Sequence, residues 1–117
     1  MRRLRLRALL LALLATTAGG LVLSPAPASA AESCRTGWLC LYKDTGFNNL
    51  AFTTQRHGVC WDLLNYGITN VGSYWNNLPV YVDFFDVSQD EHVWSIRPGG
   101  SSSNATSFTG ERYVCTR

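Results

Sequence analysis

The sequence predicts an all-β domain, a sandwich or barrel of eight short strands. Two observations carry that prediction. Runs rich in aromatic and β-branched residues recur between Gly, Asn and Pro turn signals, and no stretch shows a convincing helical period. The runs also fall into two halves with the same four-strand rhythm, which argues for a duplicated Greek key.

Met1 to Ala30 precedes that domain and reads as an export signal. Arg2, Arg3, Arg5 and Arg7 form a basic start, Ala8 to Leu23 an apolar run, and Ala28-Ser29-Ala30 a small-residue cleavage site. A membrane anchor is the rival reading. It is weaker because Gly19-Gly20 and Pro25 interrupt the run and a cleavage signal follows at once. Removing 30 residues from 117 leaves 87, residues 31–117, which is one domain with little core to spare. The expected location is extracellular, with no membrane contact after cleavage.

Trp38 to Tyr42 is the first expected strand, followed by a turn at Thr45-Gly46. Leu50 to Thr54 is the second, closed by Gly58, and Val59 to Leu63 the third. A polar loop with Asn65, Gly67 and Asn70 leads to the fourth, Ser73 to Trp75, which ends at Asn76-Asn77 and Pro79. The second half repeats the rhythm. Its strands are Val80 to Phe85, His92 to Ile96, a weak one near Thr106 to Phe108, and Tyr113 to Thr116. Pro98 to Ser103 reads as a loop too short to link two domains.

Charge narrows the function classes. Four of the ten basic residues belong to the signal, so six face eight acids in residues 31–117, a formal balance of −2. A chain without a basic patch is not expected to bind nucleic acid or anionic membranes. It reads as a monomer.

All four cysteines, Cys34, Cys40, Cys60 and Cys115, lie in the exported part. An even count in a small exported domain reads as disulfides, and spacing alone leaves all three pairings open. A zinc site with His57 and His92 is the rival. No cysteine pair has the close spacing of a zinc knuckle, so no metal ligand and no cofactor is expected. Catalytic residues are not expected either. A serine or cysteine nucleophile needs a base held by a third group, only His57 and His92 exist, and the thiols are expected to be oxidised. The carboxylates show nothing that separates a catalytic pair from surface charge.

Three segments together carry a resemblance: Gly37-Trp38-Leu39-Cys40-Leu41-Tyr42 followed by Phe47, then Trp75-Asn76-Asn77, then Arg97-Pro98-Gly99-Gly100. They resemble the exported actinomycete proteins of the Streptomyces metalloproteinase-inhibitor family, which are similar to βγ-crystallins. The resemblance implies a βγ-crystallin-like two-sheet sandwich of two Greek-key motifs. The crystallin hallmark is an aromatic, four residues, a second aromatic, one residue and a glycine. Tyr42, Phe47 and Asn49 match it with Asn in place of Gly, the next most tolerant residue of positive φ. In the second half Phe84 matches, but Gln89 and Glu91 stand where an aromatic and glycine belong, which implies a distorted hairpin.

The same fold implies Cys60 paired with Cys115, and Cys34 with Cys40 as a short clip. The calcium stretches of crystallin relatives align with Ile68 to Ser73 and Gly110 to Cys115, where the paired Asn/Asp ligands are missing. Asp83, Asp86, Asp90 and Glu91 form an acidic group read as a solvated hairpin tip.

The resemblance implies an inhibitor of extracellular peptidases, metallopeptidases foremost, that blocks a cleft with an exposed loop. Characterised relatives brace their reactive bond with a disulfide in the second half. This chain has no cysteine pair there, so no reactive bond carries over, and Gln55 to Gly58 and Pro98 to Asn104 remain as candidate loops. The competing class is a carbohydrate- or chitin-binding module. It is motivated by Trp38, Trp61, Trp75, Trp94, Tyr66, Tyr74, Tyr81 and Tyr113, set against the plainer expectation that such rings are core.

Overall fold

The computed structural model describes residues 32–117; the export signal read at residues 1–30 lies outside them. The strands are β1 (Leu39–Asp44), β2 (Asn48–Thr54), β3 (Cys60–Asp62), β4 (Ser73–Asn76), β5 (Val82–Phe85), β6 (His92–Ile96), β7 (Ser101–Ser102) and β8 (Tyr113–Thr116). They form two antiparallel four-stranded sheets, ordered β2-β1-β4-β7 and β3-β8-β5-β6. The fold class is all-β with two sheets. Each half lends its third strand to the other half's sheet: β3 joins the second and β7 the first.

Alternation along the strands sets the core. Leu39 and Leu41 of β1, Phe52 of β2, Val82 and Phe84 of β5, Trp94 and Ile96 of β6, and Val114 of β8 pack into one cluster between the sheets. Burying a side chain of this size stabilises by about 1.5–3 kcal/mol. The other face of β1 is covered as well. Cys40 and Tyr42 are buried beneath the segment before β1, where Cys34 bonds to Cys40 and the Tyr42 hydroxyl donates to the Glu32 carbonyl (2.6 Å).

The two hairpins repeat a local irregularity. Pairing slips between Leu41 and Tyr42 in β1–β2, and between Phe84 and Phe85 in β5–β6. Phe47 and Asn49 both take positive φ (60° and 57°), and the Phe47 ring lies edge-on to Tyr42 and against Trp75. In the second hairpin Gln89 keeps the matching positive φ of 62°. It brings no ring to that position. Asp86 closes the turn instead, its carboxylate accepting from the Ser88 N–H (3.0 Å) and hydroxyl.

Three elements differ from the sequence reading. The strand expected at Thr106 to Phe108 is absent, because Asn104 Oδ1 accepts from the Thr106 N–H (3.1 Å) and hydroxyl and bends the chain into a turn. Ser101 and Ser102, read as loop, pair with Trp75 and Tyr74 of β4 as strand β7. Residues of poor strand preference serve there because the β4 backbone needs partners. The third strand stops at Asp62, whose carboxylate accepts from the Leu64 N–H (3.0 Å) and starts a one-turn 3-10 helix, Leu63–Tyr66.

Registers place the connections at two ends. The β2–β3, β4–β5 and β6–β7 loops pass between the sheets at one end. Both hairpins and the β3–β4 and β7–β8 loops lie at the other. Among the described residues no helix is long and apolar enough to cross a membrane.

Candidate functional site

The β2–β3 loop combines exposure with anchorage. Gln55, Arg56, His57 and Gly58 are all exposed, whereas Thr54 before them is buried. Thr54 Oγ1 accepts from the Arg56 N–H (3.0 Å), which folds the chain back as it leaves the sheet. Gly58 has φ +70°, a conformation a side chain disfavours, and this returns the chain to β3. Thr116 of β8 ties the two flanks together and is only 3% exposed. Its hydroxyl donates to the Arg56 carbonyl (2.8 Å), its carbonyl accepts from the Gly58 N–H (2.9 Å), and its N–H donates to the Val59 carbonyl (2.9 Å). Beside these bonds Cys60 and Cys115 pair across β3 and β8 and form a disulfide with Cα atoms 4.0 Å apart.

Asn76 fixes the neighbouring loops of that end. It is wholly buried, and its amide donates to the Val80 (3.0 Å) and Arg97 (3.1 Å) carbonyls while Oδ1 accepts from the Leu78 N–H (3.0 Å). Its backbone bonds Gly100 and Gly99 (2.8 Å each). Asn77 donates to the Cys34 and Arg35 carbonyls (3.1 Å each), joining the Cys34–Cys40 clip to the same end. A loop so placed loses little freedom on binding a partner.

The titratable groups are arranged for structure. Asp83 is not at a hairpin tip. It is 8% exposed on β5, and Arg117 holds it bidentately (2.6 and 2.9 Å). The Arg117 hydrogen bond, ahead of those from Ser95 and the charge of His92, holds its carboxyl below the usual carboxylate range. Ser95, His92 and Asp83 are therefore neighbours, but Ser95 lies between the other two. Its hydroxyl donates to Asp83, so His92 Nε2 faces Ser95 as a donor and not as a base. Asp86 is likewise held low by the Ser88 hydroxyl.

The two degenerate calcium stretches meet at the opposite end. Glu111 is buried, and Oε1 accepts from the Val71 N–H (2.7 Å). With its amide turned to suit its neighbours, Asn70 donates to the same oxygen (2.7 Å) and to the Phe108 carbonyl (2.8 Å). The Trp94 indole N–H faces this carboxylate, but neither it nor Oε2 makes a hydrogen bond of good geometry. Burial pushes the Glu111 carboxyl up. Protein donors thus stand around Glu111, and among the described residues no group of three or more His, Cys, Asp or Glu converges on one point.

The aromatics are mostly engaged. Trp94 stacks between Phe84 (3.9 Å) and Phe108 (4.8 Å), and Trp61 packs on Phe52. The more exposed rings also have partners: Trp75 rests on Phe47, Tyr66 on Phe52, and the Arg117 guanidinium covers Tyr81 at 4.7 Å. Trp38 lines a groove of about 210 Å³ with Arg35, Leu50 and Thr53.

Comparison with known proteins adds a family to this geometry. The pattern of peptidase inhibitor family I36 matches residues 27–91, more than half of the chain. The chain belongs to family I36. That is a family of inhibitors, so the partner class is a peptidase and the protein is not an enzyme. No curated protein and no solved structure matches the chain. The I36 match includes β1–β4, the loop Gln55–Gly58 and Asn76, and stops before β8. The loop clamp at Thr116 lies beyond it and carries no sequence signal of its own. Asn76 was visible as part of a motif, but its role as a clamp depends on which carbonyls the fold brings around it.

Proposed function

We propose that this I36 protein is a secreted monomer with a βγ-crystallin-like fold that inhibits extracellular metallopeptidases, and that loop Gln55–Gly58 is the segment that enters the active-site cleft. One observation carries the choice of loop: four exposed residues whose two flanks are tied by Thr116, beside the Cys60–Cys115 disulfide. A loop held in this way offers a cleft a preformed segment at small entropic cost, and the pieces of a cut loop would not drift apart. The other candidate, Pro98 to Asn104, is partly consumed by β7 and by the bonds to Asn76.

The test is a titration of the oxidised protein against a thermolysin-like metallopeptidase, followed with a small peptide substrate. Stoichiometric inhibition is expected. T116V, which keeps the side-chain volume and loses the hydroxyl, should weaken it about tenfold, the effect of a net hydrogen bond lost from the clamp. Inhibition unchanged by T116V would remove the loop from the mechanism. Absent inhibition, together with chitin binding that disappears in W38A, would mark the protein as a carbohydrate module.

A further inference from the structure

Within the anchored loop one residue is fixed from both sides and held by neither. The Arg56 carbonyl and the Gly58 N–H are bonded to Thr116. His57 lies between them, exposed. Among the described residues, its own N–H and carbonyl make no backbone hydrogen bond. The chain is thus pinned one residue to either side of an imidazole that faces solvent. The other histidine is unlike it: His92, on β6, is engaged with Ser95 of the same strand and with Asp83 of β5.

We propose that His57 is the residue of this inhibitor that ligates the active-site metal of its target, which would therefore be a zinc peptidase. The inference rests on the reading of loop Gln55–Gly58 as the cleft-blocking segment. A catalytic zinc has three protein ligands and an open position occupied by water. Imidazole nitrogen is among its preferred donors. Among the loop's side chains nothing else competes well. The Arg56 guanidinium has no lone pair to give, Gln55 offers only an amide oxygen, and no carboxylate or thiol is present. The exchange is a ligand substitution. The lone pair of a neutral imidazole nitrogen forms the new metal bond, the metal–oxygen bond breaks, and water leaves intact, with no electron transferred. Because metal-bound water is the nucleophile of zinc-dependent hydrolysis, its loss would stop turnover and spare the loop itself.

The experiment uses a thermolysin-like peptidase with cobalt(II) in place of zinc, whose visible absorption reports the ligand set, and the oxidised protein as wild type, H57A and H92A. Wild type is expected to inhibit and to change the cobalt bands. H57A should raise the inhibition constant at least about thirty-fold, the loss typical of an interface hot spot, and leave the bands of any complex like those of free enzyme. Its melting temperature should not move, because the side chain is exposed. H92A, which removes the histidine outside the loop, should keep the spectral change. Inhibition by wild type with unchanged bands, or full inhibition by H57A, would overturn the metal contact while leaving the blocking loop in place. No inhibition by wild type would overturn both.

Discussion

Arg117 and Asp83 show how a residue just outside a sheet can stabilise a strand in its middle. Asp83 is nearly buried on β5, and Arg117, just beyond β8, forms two hydrogen bonds to its carboxylate. Because the folded protein holds that carboxyl below its ordinary range, the pair contributes fully above the unfolded aspartate value of about 3.9. Its contribution fades as pH falls through the lower folded value. R117M should therefore lower stability at pH 7, by a modest amount because the Arg117 side chain is 58% exposed and its charge is screened by solvent. Urea denaturation of both proteins between pH 7 and pH 2 should show the gap closing below about pH 4. Glu111 acts with the opposite sign, since a raised carboxyl favours the folded state at low pH, but it is common to both proteins and cancels in the difference. Neither environment was legible in the sequence. Asp83 reads as one acid among four in its stretch, and only the pairing of β5 with β8 brings Arg117 to it.

At the scale of the elements, hydrophobic alternation and turn residues were enough to locate most strands. His92–Ile96 and Tyr113–Thr116 fall where the branched and aromatic runs place them. The seventh strand was not legible, because Ser101 and Ser102 are strand residues only by virtue of the β4 edge beside them. Local preference at Thr106 to Phe108 yields there to the Asn104 side chain. The β3–β4 connection hides a similar requirement. Gly72 precedes β4, where its N–H donates to the Tyr42 carbonyl (2.9 Å) and its carbonyl accepts from the Ala105 N–H (2.8 Å). A Cβ there would lie 2.4 Å from the Asp44 carbonyl carbon and 2.5 Å from the Lys43 oxygen, and backbone cannot swing aside as a side chain can. G72A should cost about 3 kcal/mol, measured as a lower urea midpoint with little change in slope. A loss below about 0.5 kcal/mol would mean that the hairpin moves away freely.

At the scale of the molecule, the four cysteines divide their labour. The Cys60–Cys115 bond closes a loop of 55 residues and the Cys34–Cys40 bond one of 6. In the chain-entropy argument these stabilise by about 4 and about 2 kcal/mol. C60S/C115S should lower the melting temperature more than C34S/C40S, and it alone should weaken inhibition strongly, because it borders loop Gln55–Gly58. Equal losses from the two pairs would show that the closed loop length is not what matters. Sequence spacing left all pairings open; the pairing of β3 with β8 is what places Cys60 opposite Cys115. The same arrangement decides what happens if a peptidase does sever the bond after His57. One fragment would hold β1 and β2 with the Cys34–Cys40 clip, the other would begin at Gly58 and carry Cys60–Cys115, and no covalent link would join them. Yet β1 remains laced between β2 and β4, one strand from each fragment. A nicked molecule would travel as a single particle in native buffer and fall into two pieces in denaturant, with or without reductant. The new termini, still held beside Thr116, would be poised for religation.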